Sequence, residues 1–109
     1  GCSFLGFKTQ LHLKNTAYYL IDRNMFWGEP STAQDVLIEN QNIPDEGDGV
    51  FINNWVSGDG IIGIRQLSGG GLKISGNKFN NGLDTCVVIE TSGTSIFMAV
   101  NNSFFNISI

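Results

Sequence analysis

Carboxylates and indoles are the side chains of this sequence with chemistry to offer. Asp45, Glu46 and Asp48 crowd one short stretch (Gln41-Asn42-Ile43-Pro44-Asp45-Glu46-Gly47-Asp48), and Asp59 follows in Ser57-Gly58-Asp59-Gly60. Carboxylates held close together raise one another's pKa, which separates them into the acid and the base that glycosidic-bond hydrolysis needs. With Glu39, whose spacing to Glu90 is described below, Asp45, Asp48 and Asp59 are the catalytic candidates. The competing reading is a solvated acidic loop followed by a Gly-Asp-Gly turn. A cluster of this kind also binds Ca²⁺ in some settings, but the EF-hand spacing is absent. Trp27 stands two residues before Glu29, and an aromatic face beside a carboxylate suits a sugar ring. Packing under a loop or against a neighbouring chain explains the same indole. Trp27, Glu29 and Arg65 are the substrate-binding candidates.

Other groups offer less. His12 has no Ser, Cys or Asp partner at a telling position. Gly69-Gly70-Gly71 lacks the Lys-Ser/Thr of a phosphate-binding loop. Cys2 and Cys86 belong to no CxxC or Cys/His cluster, so no metal and no cofactor is expected, and both are read as free, buried thiols.

Composition narrows the setting in which these groups act. The 109 residues leave room for one domain, and six Lys+Arg against ten Asp+Glu give a formal charge of −4. A chain so sparse in cations lacks the footprint of a duplex-binding protein, and no nucleic-acid partner is expected. No apolar run approaches the ~18 residues of a membrane span. Fourteen Gly and twelve Asn imply many tight turns. The sequence opens Gly1-Cys2-Ser3 without Met, and the single domain over 1–109 is expected to be a fragment of a longer chain.

A repeat sets the positions of these residues. Asn-x-aromatic recurs as Asn24-Met25-Phe26, Asn53-Asn54-Trp55, Asn77-Lys78-Phe79 and Asn102-Ser103-Phe104, with Cys2-Ser3-Phe4 in the same frame. A second element keeps step with it: Leu11-His12-Leu13-Lys14, Val36-Leu37-Ile38-Glu39, Ile62-Gly63-Ile64-Arg65 and Val87-Val88-Ile89-Glu90. Apolar residues alternate with polar ones over about four positions, the mark of half-buried strands. The period and the strand content predict an all-β, right-handed, single-stranded parallel β-helix of about four to five coils, 22–29 residues each. The longest coil carries an insertion near 41–48, where solenoids often place function.

Within that frame each Asn side chain supplies a donor and an acceptor to buried turn backbone, and the aromatic two residues on fills the core. Trp55 is thereby expected in the core, and Trp27, after core Phe26, on the outside. Lys14, Glu39, Arg65 and Glu90 form an outward row of alternating charge. Glu39 and Glu90, two coils apart, come at the upper end of the separation of an inverting carboxylate pair, although Arg65 between them suits a salt-bridge ladder better. The row His12, Leu37, Gly63, Val88 is largely apolar and points to a covering surface such as a neighbouring subunit.

Gly-Cys-Ser-Phe-Leu-Gly-Phe (1–7), Ile-Ser-Gly-Asn-Lys-Phe (74–79) and Val-Asn-Asn-Ser-Phe-Phe (100–105) resemble the coils of right-handed parallel β-helices of the pectate-lyase-like superfamily, in the manner of bacteriophage tailspikes. The resemblance covers nearly all of 1–109. It implies a segment that binds, and in its enzymatic members cleaves, bacterial surface polysaccharide, as a homotrimer on a virion tail or outside the cell. A non-catalytic stalk or receptor-binding segment and an extracellular polysaccharide lyase remain as alternatives. A lyase would want Ca²⁺-binding Asp and a basic residue, for which Arg65 is the one suitably placed Arg.

Overall fold

The computed structural model describes residues 1–16, 18–39, 49–68, 71–80, 83, 85–90 and 97–105. Short strands follow one another in threes. The first circuit holds β1 (Ser3–Leu5), β2 (Thr9–Lys14) and β3 (Tyr19–Asp22), and the second β4 (Met25–Gly28), β5 (Gln34–Glu39) and β6 (Gly49–Ile52). The third holds β7 (Trp55–Gly58), β8 (Ile62–Ser68) and β9 (Leu72–Ser75), and then come β10 (Lys78–Asn80), β11 (Thr85–Ile89), β12 (Phe97–Val100) and β13 (Ser103–Phe105). Every third strand pairs with the next in parallel. The result is sheet A (β1-β4-β7-β10-β13), sheet B (β2-β5-β8-β11) and sheet C (β3-β6-β9-β12). The chain is thus an all-β parallel solenoid, with no helix among the described residues. Sheet A stacks five strands and sheets B and C four each, close to the expected four to five coils.

Alternation along each strand builds the core. Phe26, Val36, Ile38, Phe51, Val56, Ile64 and Phe79 are fully buried between the three sheets. Rings stack on their equivalents one coil away, Phe4 on Phe26 at 4.9 Å between ring centroids and Phe79 on Phe104 at 5.4 Å, and Phe26 packs across the core on Phe51 of sheet C at 5.8 Å. Each large core side chain buried in this way contributes about 1.5–3 kcal/mol.

The corner from sheet C to sheet A explains the Asn repeat. Arg23, Asn53 and Asn101 have φ of 56°, 56° and 55°, and Gly76 has 66°, so every circuit bends through one left-handed residue. The residue after each bend is the stacking Asn. Asn24 N–H donates to Asn54 Oδ1 (2.8 Å), Asn54 N–H to Asn77 Oδ1 (2.8 Å) and Asn77 N–H to Asn102 Oδ1 (3.0 Å). The side-chain amides donate in turn to carbonyls at the ends of sheet C: Asn54 Nδ2 to Ile21 O (2.9 Å), Asn77 Nδ2 to Phe51 O (2.8 Å) and Asn102 Nδ2 to Ile74 O (3.1 Å). Cys2 closes the row, its N–H donating to Asn24 Oδ1 at 2.8 Å.

The column therefore runs Asn24, Asn54, Asn77, Asn102, and Asn53 is not in it. Asn53 takes the left-handed bend, a conformation Asn tolerates, and its neighbour takes the ladder. The sequence separations between ladder residues are 22, 30, 23 and 25. This one-residue correction moves the aromatic: Phe26 is level with Val56, and Trp55 is level with Met25 and Lys78. Trp55 is consequently 39% exposed on the outside, contrary to the expectation of a core indole.

Sheet B also departs from the expected register. Val36 pairs with Ile64, Leu37 with Arg65 and Ile38 with Gln66. A buried Gln66 occupies an inward position that Ile38 and Ile89 fill on neighbouring coils, which disguised the alignment. The outward row is His12, Leu37, Arg65, Val88, and Gly63 is buried near Val56 instead.

Candidate functional site

The outer face of sheet A gathers the exposed aromatic surface. Strand alternation points Met25 and Trp27 of β4, Trp55 of β7 and Lys78 and Asn80 of β10 outward, while Phe26, Val56 and Phe79 point in. The Trp55 indole N–H donates to Asn80 Oδ1 at 2.7 Å, which fixes the ring against the sheet. The Lys78 ammonium lies 4.9 Å from the ring centroid. A cation over an indole face is attracted by roughly 0.5–1 kcal/mol at an exposed site.

An open groove of about 510 Å³ runs from this row to the left-handed corner. Met25, Trp55 and Lys78 line it from the strands, and Arg23, Asn53 and Gly76 from the bend. Asp22 steadies the bend: its carboxylate accepts from Arg23 Nε at 2.9 Å and from Asn53 Nδ2 at 3.3 Å. The lining holds two cations and, among the described residues, no carboxylate. A rigid aromatic ring, amide groups and cationic tips together offer a stacking face and hydrogen-bonding groups to a ligand.

The residues singled out from the sequence are dispersed. Trp27 does face outward, half-buried, level with Leu5 and Ser57. Glu29 is exposed in the turn after β4, whose backbone is held by Thr32: Glu29 N–H donates to Thr32 Oγ1 and Thr32 N–H to Glu29 O. Asp59 is exposed in the equivalent turn one coil on, its N–H donating to Gly28 O at 2.9 Å. Glu39 ends β5, at the far end of sheet B from that turn. The six residues of β5 alone span about 16 Å, well beyond the reach of a glycosidase carboxylate pair. Asp45, Glu46 and Asp48 lie outside the described residues.

The expected alternating ladder is replaced by two separate pairs on sheet B. His12 Nε2 lies 2.7 Å from Glu39 Oε2, and the Arg65 guanidinium donates to both oxygens of Glu90 at 3.2 and 3.3 Å. His12 thus has the carboxylate partner that sequence separation concealed. Arg65 sits on sheet B in an ion pair with Glu90 and does not line the Trp55 groove. Cys2 is exposed and Cys86 half-buried, both as free thiols, so the expectation of two buried thiols fails at Cys2. Burial pushes the Cys86 thiol up, which keeps it un-ionised and unreactive. No cluster of three or more metal-ligating side chains occurs among the described residues.

Sequence reasoning missed the groove because it placed Trp55 inside. The left-handed preference of Asn53 was the available signal, since two successive Asn at a bend leave the second for the ladder and the third residue outside.

Fold and face together define a parallel β-solenoid with an aromatic outer sheet. No protein-family model, curated protein or solved structure matches the chain.

Proposed function

We propose that this solenoid binds polysaccharide on the outer face of sheet A, as part of a tailspike-like, non-cleaving recognition segment. The observation that carries the reading is the Trp55 platform, held by Asn80, flanked by Lys78 and opening onto an amide-lined groove. Sugar rings present C–H faces that stack on indole and hydroxyls that exchange hydrogen bonds with amides and cations. Extended chains suit a flat, open groove better than an enclosed pocket. Binding is favoured over cleavage because Glu39 and Asp59 are far apart and Glu39 is engaged by His12.

The homotrimer belongs to the same proposal, with a change of face. Sheet C presents an exposed apolar set, Leu20, Met98 and Val100, at 64%, 48% and 39% exposure. Burial against neighbouring copies removes this surface from water. A virion-tail or extracellular setting, where such polysaccharides are met, is part of the reading.

The test is retention on immobilised capsular and O-antigen polysaccharides, scored beside assays for reducing ends and unsaturated uronates. Saturable binding with neither product supports the reading. Cleavage products reassign the segment as a depolymerase, and binding that is unchanged in Trp55→Ala removes the groove from it.

A further inference from the structure

Asp35, near the start of β5, is completely enclosed. The registers Thr9 with Gln34 and Leu11 with Val36 place Gln10 beside it on β2. Gln10 Nε2 donates to Asp35 Oδ1. The other oxygens of the two side chains, Asp35 Oδ2 and Gln10 Oε1, are buried and have no hydrogen-bond partner. Leaving two acceptors unpaired in the interior is costly, because neither regains the hydrogen bonds it made to water. Both belong to one joined pair, and one proton satisfies both. An acid O–H donated to the amide carbonyl, with the amide N–H already donated to the acid, makes a closed two-bond pair.

We propose that Asp35 is a proton-binding site of the folded solenoid, held as a carboxylic acid that donates its O–H to the Gln10 side-chain carbonyl, and that loss of this proton loosens the corner between sheets A and B. Among the described residues no buried cation stands by to steady a carboxylate, and the Gln10 amide is its donor. The ionisable groups on the packed elements are His12 and Lys14 of β2, Glu39 of β5, Arg65 of β8, and Lys8, Glu29 and Asp59 of the corner turns, and none of them is buried. β4 and β7 carry no ionisable side chain, and Cys86, on β11 beyond Gly63, is a neutral thiol. Backbone closes in from the corner: a methyl on Gly28 would meet Asp35 Oδ1 at 3.3 Å and Gly60 at 3.0 Å. Burial lifts the carboxyl from 3.8 to about 7, with the Gln10 amide pulling the other way.

The sign of the pH effect follows from a folded value above the unfolded one. The unfolded chain releases this proton near 3.8 and the folded chain near 7, so stability is greatest below about 4, falls between 4 and 7, and levels off above. Between pH 5 and 9 the unfolding constant rises roughly a hundredfold from this group alone.

The experiment follows the side-chain carboxyl carbon of Asp35 by NMR in the intact chain across pH 3–9, alongside thermal unfolding of the parent and of Asp35→Asn. The expected result is a titration centred near neutrality. Asp35→Asn, whose amide reproduces both bonds to Gln10, is expected to remove most of the fall in stability above pH 5. A carboxyl that titrates below pH 5 overturns the proposal, and so does a fall in stability that persists undiminished in Asp35→Asn. The carboxyl titration alone decides the matter if the variant does not fold.

Discussion

The side-chain carbonyl of Asn77 accepts the backbone N–H of Asn54, the ladder residue 23 positions earlier, at 2.8 Å, while its amide reaches Phe51 O at 2.8 Å. One side chain thus ties the end of sheet C and the start of sheet A on the neighbouring coil. Both residues are buried, so water cannot replace the bonds. Asn77→Ala is expected to destabilise the chain by about 3–5 kcal/mol, since it strands the Asn54 backbone N–H, one of the two Asn54 amide N–H groups and the Phe51 carbonyl. Asn102→Ala, at a half-buried corner, is expected to cost clearly less. Urea unfolding of the two variants gives the comparison, and equal losses would contradict the ladder account.

Gly58 and Gly60 frame the turn after β7 and make an internal control. Gly58 has φ of 97°, and a Cβ there would stand 2.2 Å from Gly28 O, a contact that backbone must move to relieve. Gly60 has room for a methyl at 3.4 Å from Thr32. Gly58→Ala is expected to cost at least about 3 kcal/mol through strain and clash together, and Gly60→Ala under about 1 kcal/mol. Melting temperatures of the pair suffice to check this.

Trp55 and Trp27 share the outer face of sheet A but differ in exposure. Trp55→Ala is expected to weaken polysaccharide binding tenfold or more, equivalent to about 1.4 kcal/mol, with little loss of stability. Trp55→Phe keeps an aromatic ring and loses the bond to Asn80, so an intermediate affinity is expected. Trp27→Ala, which uncovers half-buried surface, is expected to lower stability more than affinity. Binding isotherms beside unfolding curves separate the two effects.

Arg65 and Glu90 form an exposed pair on sheet B. Arg65→Ala is expected to change stability by less than about 1 kcal/mol and to leave polysaccharide affinity unaltered. A large loss of affinity would place the ligand on sheet B instead of sheet A.

The architecture was legible because its cause is periodic. Rows of inward Val, Ile and Phe and a bend that needs an amide at every level must recur in sequence if they recur in space. Register was harder, for reasons that two residues show. Asn53 looks like a ladder Asn but serves the left-handed bend, and Gln66 fills a core position with a polar side chain. Each of the two shifts the apparent register by one or two residues, so that the true outward partners are Trp55 with Met25 and Arg65 with Leu37. The contacts of Asp35 were not legible at all. A single buried carboxyl paired with a single Gln leaves no periodic trace, and only the fold brings residues 25 apart into contact.

Cys2 gives the molecule a direction. Every amide carbonyl in the column accepts from the rung before it, so the column has a sense like an arrow. A thiol offers no oxygen to continue that sense below the first rung. Cys2→Asn would supply that oxygen and give the column one more acceptor of the same sense.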